Sequence, residues 1–344
     1  MKFDFCVGNP PYQEQIANDE DSNSSLSKQL FPLFVQGAIE MGAKHVALIT
    51  PSRWFVADAQ DKSFVKLREF IKSNNHIKAL HNFRDAKEVF PNTEIAGGVS
   101  YFLYDAQYTG KVKFVGSKKT EYRNLFEEGL DIIISDGDYY SILSKVQHYG
   151  SFKSLMDLAT GRNAFGVVGK KSELEKTTKT KPFTGSVEVF CAHEEKRYID
   201  RSLIKKNVEI IDKWKIFTSK GNGGAGILTE GKKVAILGKS FVGQPNSICT
   251  DSLIPIGCFD SETEAINLQK YMTTKFLRFM VGILKSSQNI YQVVYRFVPV
   301  LDFTNESDID WDKSISEIDK QIYAKFGLSD DEVQLIESLV KEME

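Results

Sequence analysis

Residues 3–12 read FDFCVGNPPY, and this stretch determines how the rest of the chain is interpreted. The apolar run at 3–7 predicts a short β-strand. Two consecutive prolines end that strand, because each fixes φ and lacks a backbone N–H donor. Asn9 therefore stands at the carboxyl end of a strand, which is where open α/β sheets bind their ligands. Tyr12 places a flat aromatic ring beside it.

These residues offer a specific kind of binding site. The Asn9 side-chain oxygen and the Pro10 carbonyl are two hydrogen-bond acceptors on a stiff backbone, next to the ring of Tyr12. Such an arrangement suits a planar group that carries an amino donor, for example the exocyclic amine of a nucleobase. The alternative is a strand that ends in an ordinary proline turn, since Asn and Pro are both common turn residues.

Beyond this motif, apolar strands alternate with helical patterns. Apolar residues three and four positions apart predict helices at 30–39 and 62–73, and short apolar runs predict strands at 45–50, 77–83 and 98–104. The polar stretch at 13–28 predicts a flexible loop. This rhythm predicts an α/β domain with a mostly parallel sheet and crossover helices.

The middle of the chain does not keep this rhythm. Residues 106–150 form a transitional segment with a predicted strand at 131–135. Residues 151–300 contain a glycine-rich loop at 219–226, short β-like runs (VEVF, KVAIL and DSLIPIG) and a predicted helix at about 262–285.

The end of the chain predicts acidic helices over residues 303–344, one of them N-capped by Ser329 with acidic residues in its first turn. Together these patterns predict three domains, at 1–110, 111–302 and 303–344.

The composition is that of an ordinary globular protein. The 344 residues are 42% apolar, and 44 basic side chains nearly balance 46 acidic ones. No apolar run approaches the roughly 20 residues that a membrane helix needs. The four cysteines show no metal-binding spacing. We therefore expect reduced core cysteines, no metal site and a cytoplasmic location.

The charge is unevenly distributed along the chain. Residues 1–150 carry 17 basic and 19 acidic side chains, residues 151–245 carry 18 and 10, and residues 246–344 carry 9 and 17. A net charge of −2 therefore combines a middle segment of +8 with an end of −8. Such asymmetry favours an anionic partner for the middle segment, although surface charge also fluctuates without function.

The motif and its surroundings resemble a known family. FDFCVGNPPYQ, HVALITPSRWF (45–55), IKALHNFRDAKEVFPN (77–92) and AGGVSYFLYD (96–105) resemble the NPPY-type, gamma-class adenine-N6 DNA methyltransferases of restriction–modification systems. The sequence QNIYQVVYRFVPVLDF resembles the end of their target-recognition regions. The resemblance implies a partial Rossmann-like methyltransferase sheet, followed by an α+β target-recognition domain and C-terminal helices.

The resemblance also implies roles for individual residues. An adenine is flipped out of the duplex, Asn9, Pro10 and Pro11 present its N6 for methyl transfer from S-adenosylmethionine, and Tyr12 stacks on one face of the base. Phe90 contacts the other face. By position Phe34 is a cofactor contact, although a core residue on an apolar helix face is the stronger interpretation.

One part of the family pattern is missing from this sequence. The glycine-rich loop that holds S-adenosylmethionine in these enzymes precedes the NPPY strand, and neither 161–166 nor 219–226 follows a suitable strand. We expect a segment without the main cofactor-binding half, as a truncation, a split subunit or a gene remnant. Its sheet would then expose an apolar edge unless a second chain covers it.

The basic middle segment is where the resemblance places target recognition on double-stranded DNA. The candidate phosphate and base contacts are Arg162, Lys170, Lys171, Arg197, Arg201, Lys232 and Lys233, with Asn163 and Asn222 as further base contacts. Two alternatives stay open. One is a non-catalytic DNA-recognition subunit, and the other is an amino-methyltransferase that acts on protein.

Overall fold

The computed structural model describes residues 3–15, 27–59, 61–116, 119–191, 196–221, 228–229 and 231–343. The chain divides into two compact units, Met1–Ser141 and Ile142–Glu344. The boundary follows residue 141 rather than residue 110, because the hairpin of β7 and β8 extends the first sheet.

The first unit is built on a six-stranded sheet with the order β1-β4-β6-β5-β7-β8. Its strands are β1 (Phe5–Gly8), β4 (His45–Pro51), β5 (Ile77–Phe83), β6 (Val99–Asp105), β7 (Val112–Val115) and β8 (Thr120–Arg123). A separate pair joins β2 (Gln13–Gln15) to β3 (Ser27–Gln29). Its helices are α1 (Phe31–Glu40) and α2 (Ser63–Asn74), with α3 (Gly137–Gln147) at the boundary.

The sheet is mixed, whereas the sequence predicted a mostly parallel one. β1 pairs with β4 in parallel, but β6 lies antiparallel between β4 and β5. No α-helix connects β5 to β6, and a loop is sufficient to join antiparallel strands. The predicted flexible loop at 13–28 is also partly wrong, because β2 and β3 pair at its two ends. Its centre lies outside the described residues.

The core of the first unit lies on one face of this sheet. Phe31 of α1 and Phe64 of α2 pack with ring centroids 5.5 Å apart, and they belong to one cluster with Leu48 and Phe102 of the sheet. Residues on the other face are less buried. In the edge strand β1, Phe5 is 69% exposed and Val7 is 77% exposed. The stretch predicted as a strand at 131–135 forms none and lies buried as extended chain.

The second unit contains two sheets and four longer helices. One sheet has the order β14-β10-β11-β9 and the other β13-β12-β15. The strands are β9 (Thr178–Lys179), β10 (Ser186–Phe190), β11 (Lys196–Asp200), β12 (Trp214–Ser219), β13 (Ser240–Gly243), β14 (Ser247–Cys249) and β15 (Leu253–Phe259). The helices are the short α4 (Lys171–Thr177), α5 (Glu262–Thr273), α6 (Lys275–Leu284), α7 (Ile315–Lys325) and α8 (Asp330–Leu339).

The predicted helix at 262–285 is interrupted at Thr274. Asp319 of α7 accepts hydrogen bonds from the backbone N–H groups of Lys275 and Phe276, at 2.9 and 3.0 Å, and so caps the start of α6. The acidic helices are therefore part of this unit's packing rather than a separate appendix. The predicted N-cap Ser329 is confirmed, with a capping box to Glu332.

Other expectations have mixed outcomes. Cys191 and Cys249 are buried, but Cys6 is half-buried and Cys258 is exposed, so the prediction of four core cysteines is wrong for these two. The run KVAIL forms no strand. No helix in the described part of the chain is long and apolar enough to cross a bilayer.

Asp319 predicts a pH dependence of stability in the second unit. Burial raises the pKa of its carboxyl to about 6, whereas an unfolded Asp titrates near 4. Between these values the folded protein holds a proton that the unfolded chain has lost. The free energy of unfolding should therefore fall, by up to about 2 kcal/mol, as the pH rises through this window.

Urea titrations at closely spaced pH values measure this effect. Asp319→Asn should flatten the slope between pH 4 and 6, whereas Asp312→Asn, at a fully exposed carboxylate, should not. Equal slopes for the wild type and Asp319→Asn would contradict the assignment.

Candidate active site

The carboxyl ends of β1 and β4 open into a cavity of about 730 Å³. This volume is in the range of small-molecule binding sites. The cavity draws its walls from the segment after β1, the β2–β3 pair, the end of β4, α2 and the loop before β6. Its described lining residues are Asn9, Pro10, Pro11, Tyr12, Gln13, Gln29, Pro51, Arg53, Phe64, Glu94, Ile95 and Ala96.

Asn9 and Pro10 present the acceptors that the sequence predicts. β1 ends at Gly8, the Asn9 side chain is exposed, and Pro10 is buried. Among the described residues, none donates a hydrogen bond to the Asn9 side chain or to the Pro10 carbonyl. Both oxygens are therefore available to an amino donor in the cavity.

Tyr12 is held in place by packing. Its ring meets Phe31 edge to face at a centroid distance of 6.4 Å, and its carbonyl accepts a hydrogen bond from the Leu30 N–H at 3.0 Å. Burial raises the pKa of the Tyr12 hydroxyl, so the phenol stays neutral at ordinary pH. The ring provides a fixed, uncharged surface beside Asn9.

The loop at 84–98 supplies a different residue from the one predicted. Phe90 is half-buried, and its N–H donates to the Ala86 carbonyl at 2.8 Å. It is not among the described lining residues, whereas Glu94, Ile95 and Ala96 are. The contact of Phe90 with substrate therefore stays a prediction without support from this geometry.

Two glycines determine how closely this loop approaches the site. Gly98 has φ +79°, and a Cβ there would lie 2.1 Å from the Phe83 carbonyl oxygen. Gly97 has φ +88°, and a Cβ there would lie 2.7 Å from Cγ of Arg53. The pair Gly97–Gly98 is the sequence signal that could have located this wall, since only glycine fits both positions.

The cavity contains one described residue of each charge. Glu94 forms an exposed ion pair with Lys87 at 2.7 Å, which lowers the pKa of the Glu94 carboxyl. Arg53 contributes the positive charge. The described residues include no cluster of three or more His, Cys, Asp or Glu side chains that could hold a metal ion.

Phe34 does not lie in the core, contrary to the stronger interpretation from the sequence. It is 49% exposed on α1, next to Leu33, which is 54% exposed. Helix α1 instead buries Phe31, Val35 and Ile39 against the sheet. An exposed aromatic ring is available for a ligand, although Phe34 does not line the cavity described above.

The predicted DNA contacts of the second unit fall into two groups. Some already have partners within the chain: Arg201 pairs with Asp212, Lys171 lies 3.9 Å from Glu175, Arg197 donates to Thr178 at 2.6 Å, and Arg162 lies over the ring of Tyr291. Lys170, Lys232 and Lys233 are exposed, and the described residues offer them no ion-pair partner. Asn222 lies outside the described residues.

Comparisons with known proteins concern mainly the first unit. Residues 1–90 match the family described as Eco57I restriction-modification methylase. A Mycoplasma pneumoniae protein, described as an uncharacterized adenine-specific methylase, is 40% identical over 111 residues. This segment is related to the adenine-specific methylases of restriction–modification systems. The alignment covers 32% of this chain and 25% of that methylase, so the chain spans a minor part of its curated relative.

Solved structures extend the likeness of fold to the rest of the chain. The type IIL restriction-modification enzyme MmeI, in complex with DNA, has a TM-score of 0.51 at 9% identity, covering 97% of this chain and 56% of MmeI. At that identity only the fold is comparable. A type I methyltransferase subunit from Streptococcus thermophilus is 19% identical over 42% of this chain and 31% of its own, with a TM-score of 0.26 that supports no further conclusion.

Gly98→Ala tests the geometry of the loop that forms the cavity wall. A Cβ at this positive φ also meets the Phe83 carbonyl, so we expect a loss of about 3 kcal/mol in the free energy of unfolding. Gly42→Ala is the matched control, because Gly42 has φ +76° with nothing within 4 Å of a Cβ. It should cost only about 1 kcal/mol. Equal losses in urea titrations would contradict the close approach.

Proposed function

We propose that this chain is the base-handling segment of an adenine-N6 DNA methyltransferase in a restriction–modification system. The observation that carries the proposal is the cavity in which Asn9, Pro10, Pro11 and Tyr12 all take part, with the acceptors of Asn9 and Pro10 unused by the described residues. The relationship of residues 1–90 to adenine-specific methylases supports it.

The chemistry follows from what these residues offer. Adenine N6 cannot be reached within a stacked duplex, so the base must be flipped into the cavity. Tyr12 stacks on the base, and the oxygens of Asn9 and Pro10 accept the two N6 hydrogens. These hydrogen bonds favour a tetrahedral nitrogen, whose lone pair is then localised for attack on a methyl group. Such a reaction requires no covalent enzyme intermediate.

S-adenosylmethionine, when bound, supplies the electrophilic methyl group. In this chain we assign a contact with it to Phe34, whose half-exposed ring fits the adenine of the cofactor. We propose that the glycine-rich main binding motif lies in another segment or a second chain, because no strand-to-loop signature of that kind occurs here.

The edge strand β1 supports a partner of this kind. Phe5 and Val7 are mostly exposed on a parallel strand whose outer edge has no neighbour in the described sheet. Exposed apolar edge strands promote pairing with other strands. A cofactor-binding segment that adds strands beside β1 would cover both side chains. This arrangement would place the proposed enzyme in the cytoplasm of a prokaryotic cell as a split or segmented protein.

For the second unit we propose recognition of double-stranded DNA. The unpaired surface cations Lys170, Lys232 and Lys233 are the better candidates for phosphate contacts. Arg197, Arg201 and Lys171 would first have to leave partners within the chain. Arg162, stacked at 5.3 Å over Tyr291, offers a guanidinium for a base or phosphate. A non-catalytic recognition subunit and a protein amino-methyltransferase remain the alternatives.

Asn9→Ala tests the catalytic assignment. Removing the acceptor should reduce methyl transfer to adenine at least about 100-fold, as loss of one transition-state hydrogen-bonding group typically does. The affinity for duplex DNA should change less than twofold. Methyl transfer is measured with labelled S-adenosylmethionine, on the full chain with its cofactor-binding partner.

The control is Asn92→Ala, since Asn92 is exposed in the nearby loop and does not line the cavity. It should keep wild-type activity. An Asn9→Ala variant with full methyl-transfer activity would refute the assignment.

The salt dependence of DNA binding tests the second unit. The logarithm of the association constant should fall linearly with the logarithm of salt concentration, with a slope of about −0.9 for each neutralised phosphate. Replacing Lys232 and Lys233 by Gln should make the slope less negative by about 2. Lys313→Gln, in the acidic C-terminal segment, should leave it unchanged. An affinity that is independent of salt would remove this proposal.

A further inference from the structure

Arg53 occupies a position in the cavity that the function proposed above does not use. It lies in the 3-10 turn Ser52–Phe55 directly after β4. It lines the same cavity as Asn9 and Tyr12 and is half-buried there. From the sequence alone, a contact with DNA, a contact with the cofactor and simple packing were equally reasonable.

The backbone of Arg53 is fixed on both sides. The Ser52 N–H donates to the Gly98 carbonyl at 3.0 Å, and the buried Ser52 hydroxyl donates to Asn82 at 2.7 Å. The Arg53 carbonyl accepts a hydrogen bond from the Ala57 N–H at 2.9 Å. The turn is therefore anchored to both β5 and the start of β6.

The stem of Arg53 is also held in place. A Cβ on Gly97 would lie 2.7 Å from the Arg53 Cγ, so the glycine makes room for the first part of the side chain. Holding the stem reduces the conformational entropy that a long side chain loses when it binds a ligand. Packing alone would not require a guanidinium at the wall of a cavity, because an aliphatic residue would fill the same space.

The charge of Arg53 is not matched within the lining of the cavity. Arg53 is the only cation among the described lining residues, and the only anion there, Glu94, already pairs with Lys87 at 2.7 Å. Adenine is neutral, so the base in the proposed reaction does not need this charge. The nucleotide that carries the base brings a phosphate on each side of its sugar.

We propose that Arg53 forms a phosphate subsite, which binds a backbone phosphate of the flipped adenine nucleotide. The inference rests on the proposed function, since it uses Asn9 and Tyr12 to place the base. A guanidinium can donate two parallel hydrogen bonds to a phosphate, whereas an ammonium acts as a point charge. Arg53 would thus fix the sugar-phosphate end of the nucleotide while Asn9 fixes its amino group.

Small nucleotides test this without knowledge of a DNA recognition sequence. We measure the affinity of the full chain for deoxyadenosine and for its 5′- and 3′-monophosphates by titration calorimetry. The wild type should bind one of the two monophosphates about tenfold more tightly than the nucleoside. Arg53→Gln should abolish this preference while keeping the affinity for deoxyadenosine, and Arg53→Lys should keep part of it.

Asn9→Ala separates this inference from the proposed function. It should retain the preference for the phosphorylated ligand but lose the discrimination between deoxyadenosine and N6,N6-dimethyldeoxyadenosine. If the wild type prefers phosphate but does not discriminate between these bases, the proposed function fails and the phosphate subsite stands.

Three results would overturn the subsite. They are equal wild-type affinity for nucleoside and nucleotides, no saturable nucleotide binding, or an unchanged phosphate preference in Arg53→Gln. In the last case, weaker binding of S-adenosylhomocysteine by that variant would assign Arg53 to the cofactor carboxylate instead. Gly97→Ala keeps the guanidinium but displaces its stem, so it should also reduce the preference if Arg53→Gln fails to fold.

Discussion

The parallel pairing of β1 with β4 determines which side chains can act together in the first unit. In this register Gly8 lies beside Leu48, so the two strands end at the same edge of the sheet. Asn9–Tyr12 and the turn that carries Arg53 therefore emerge side by side, although some forty residues separate them in sequence. Without that pairing, each segment would keep its local turn but the cavity would not form.

The antiparallel insertion of β6 completes the site. Because β6 lies between β4 and β5, the loop that precedes it returns to the edge where β4 ends. Gly97 and Gly98 let that loop approach Arg53 and the Phe83 carbonyl, where any other residue would collide. One wall of the cavity thus depends on backbone geometry rather than on the chemistry of side chains.

These dependences explain what the sequence could and could not predict. The acceptors of Asn9 and Pro10 and the ring of Tyr12 are contiguous, so a local pattern revealed them. Ile95, Ala96 and Arg53 join them only through the order of the strands, which a mostly parallel prediction gave incorrectly. The strand at 77–83 was predicted with its observed bounds, because its apolar run has clear limits.

Burial and pairing also limit what a charge count predicts. The basic middle segment includes Lys215, which is fully buried and donates to the carbonyls of Ile210 and Ile211 at 3.1 and 3.0 Å. Arg201 pairs with Asp212 in the same segment. The net charge of residues 151–245 therefore overstates the positive charge offered to a polyanion, and only the geometry distinguishes surface cations from structural ones.

The central claim is that this chain presents the N6 atom of adenine for methylation. The most direct measurement is mass spectrometry of the nucleosides released from duplex DNA, after incubation with S-adenosylmethionine, the full chain and the cofactor-binding partner. The account predicts N6-methyldeoxyadenosine as the methylated product, formed only when both components are present. Methylated cytosine, methylated protein in place of DNA, or unmodified DNA with both components present would contradict it.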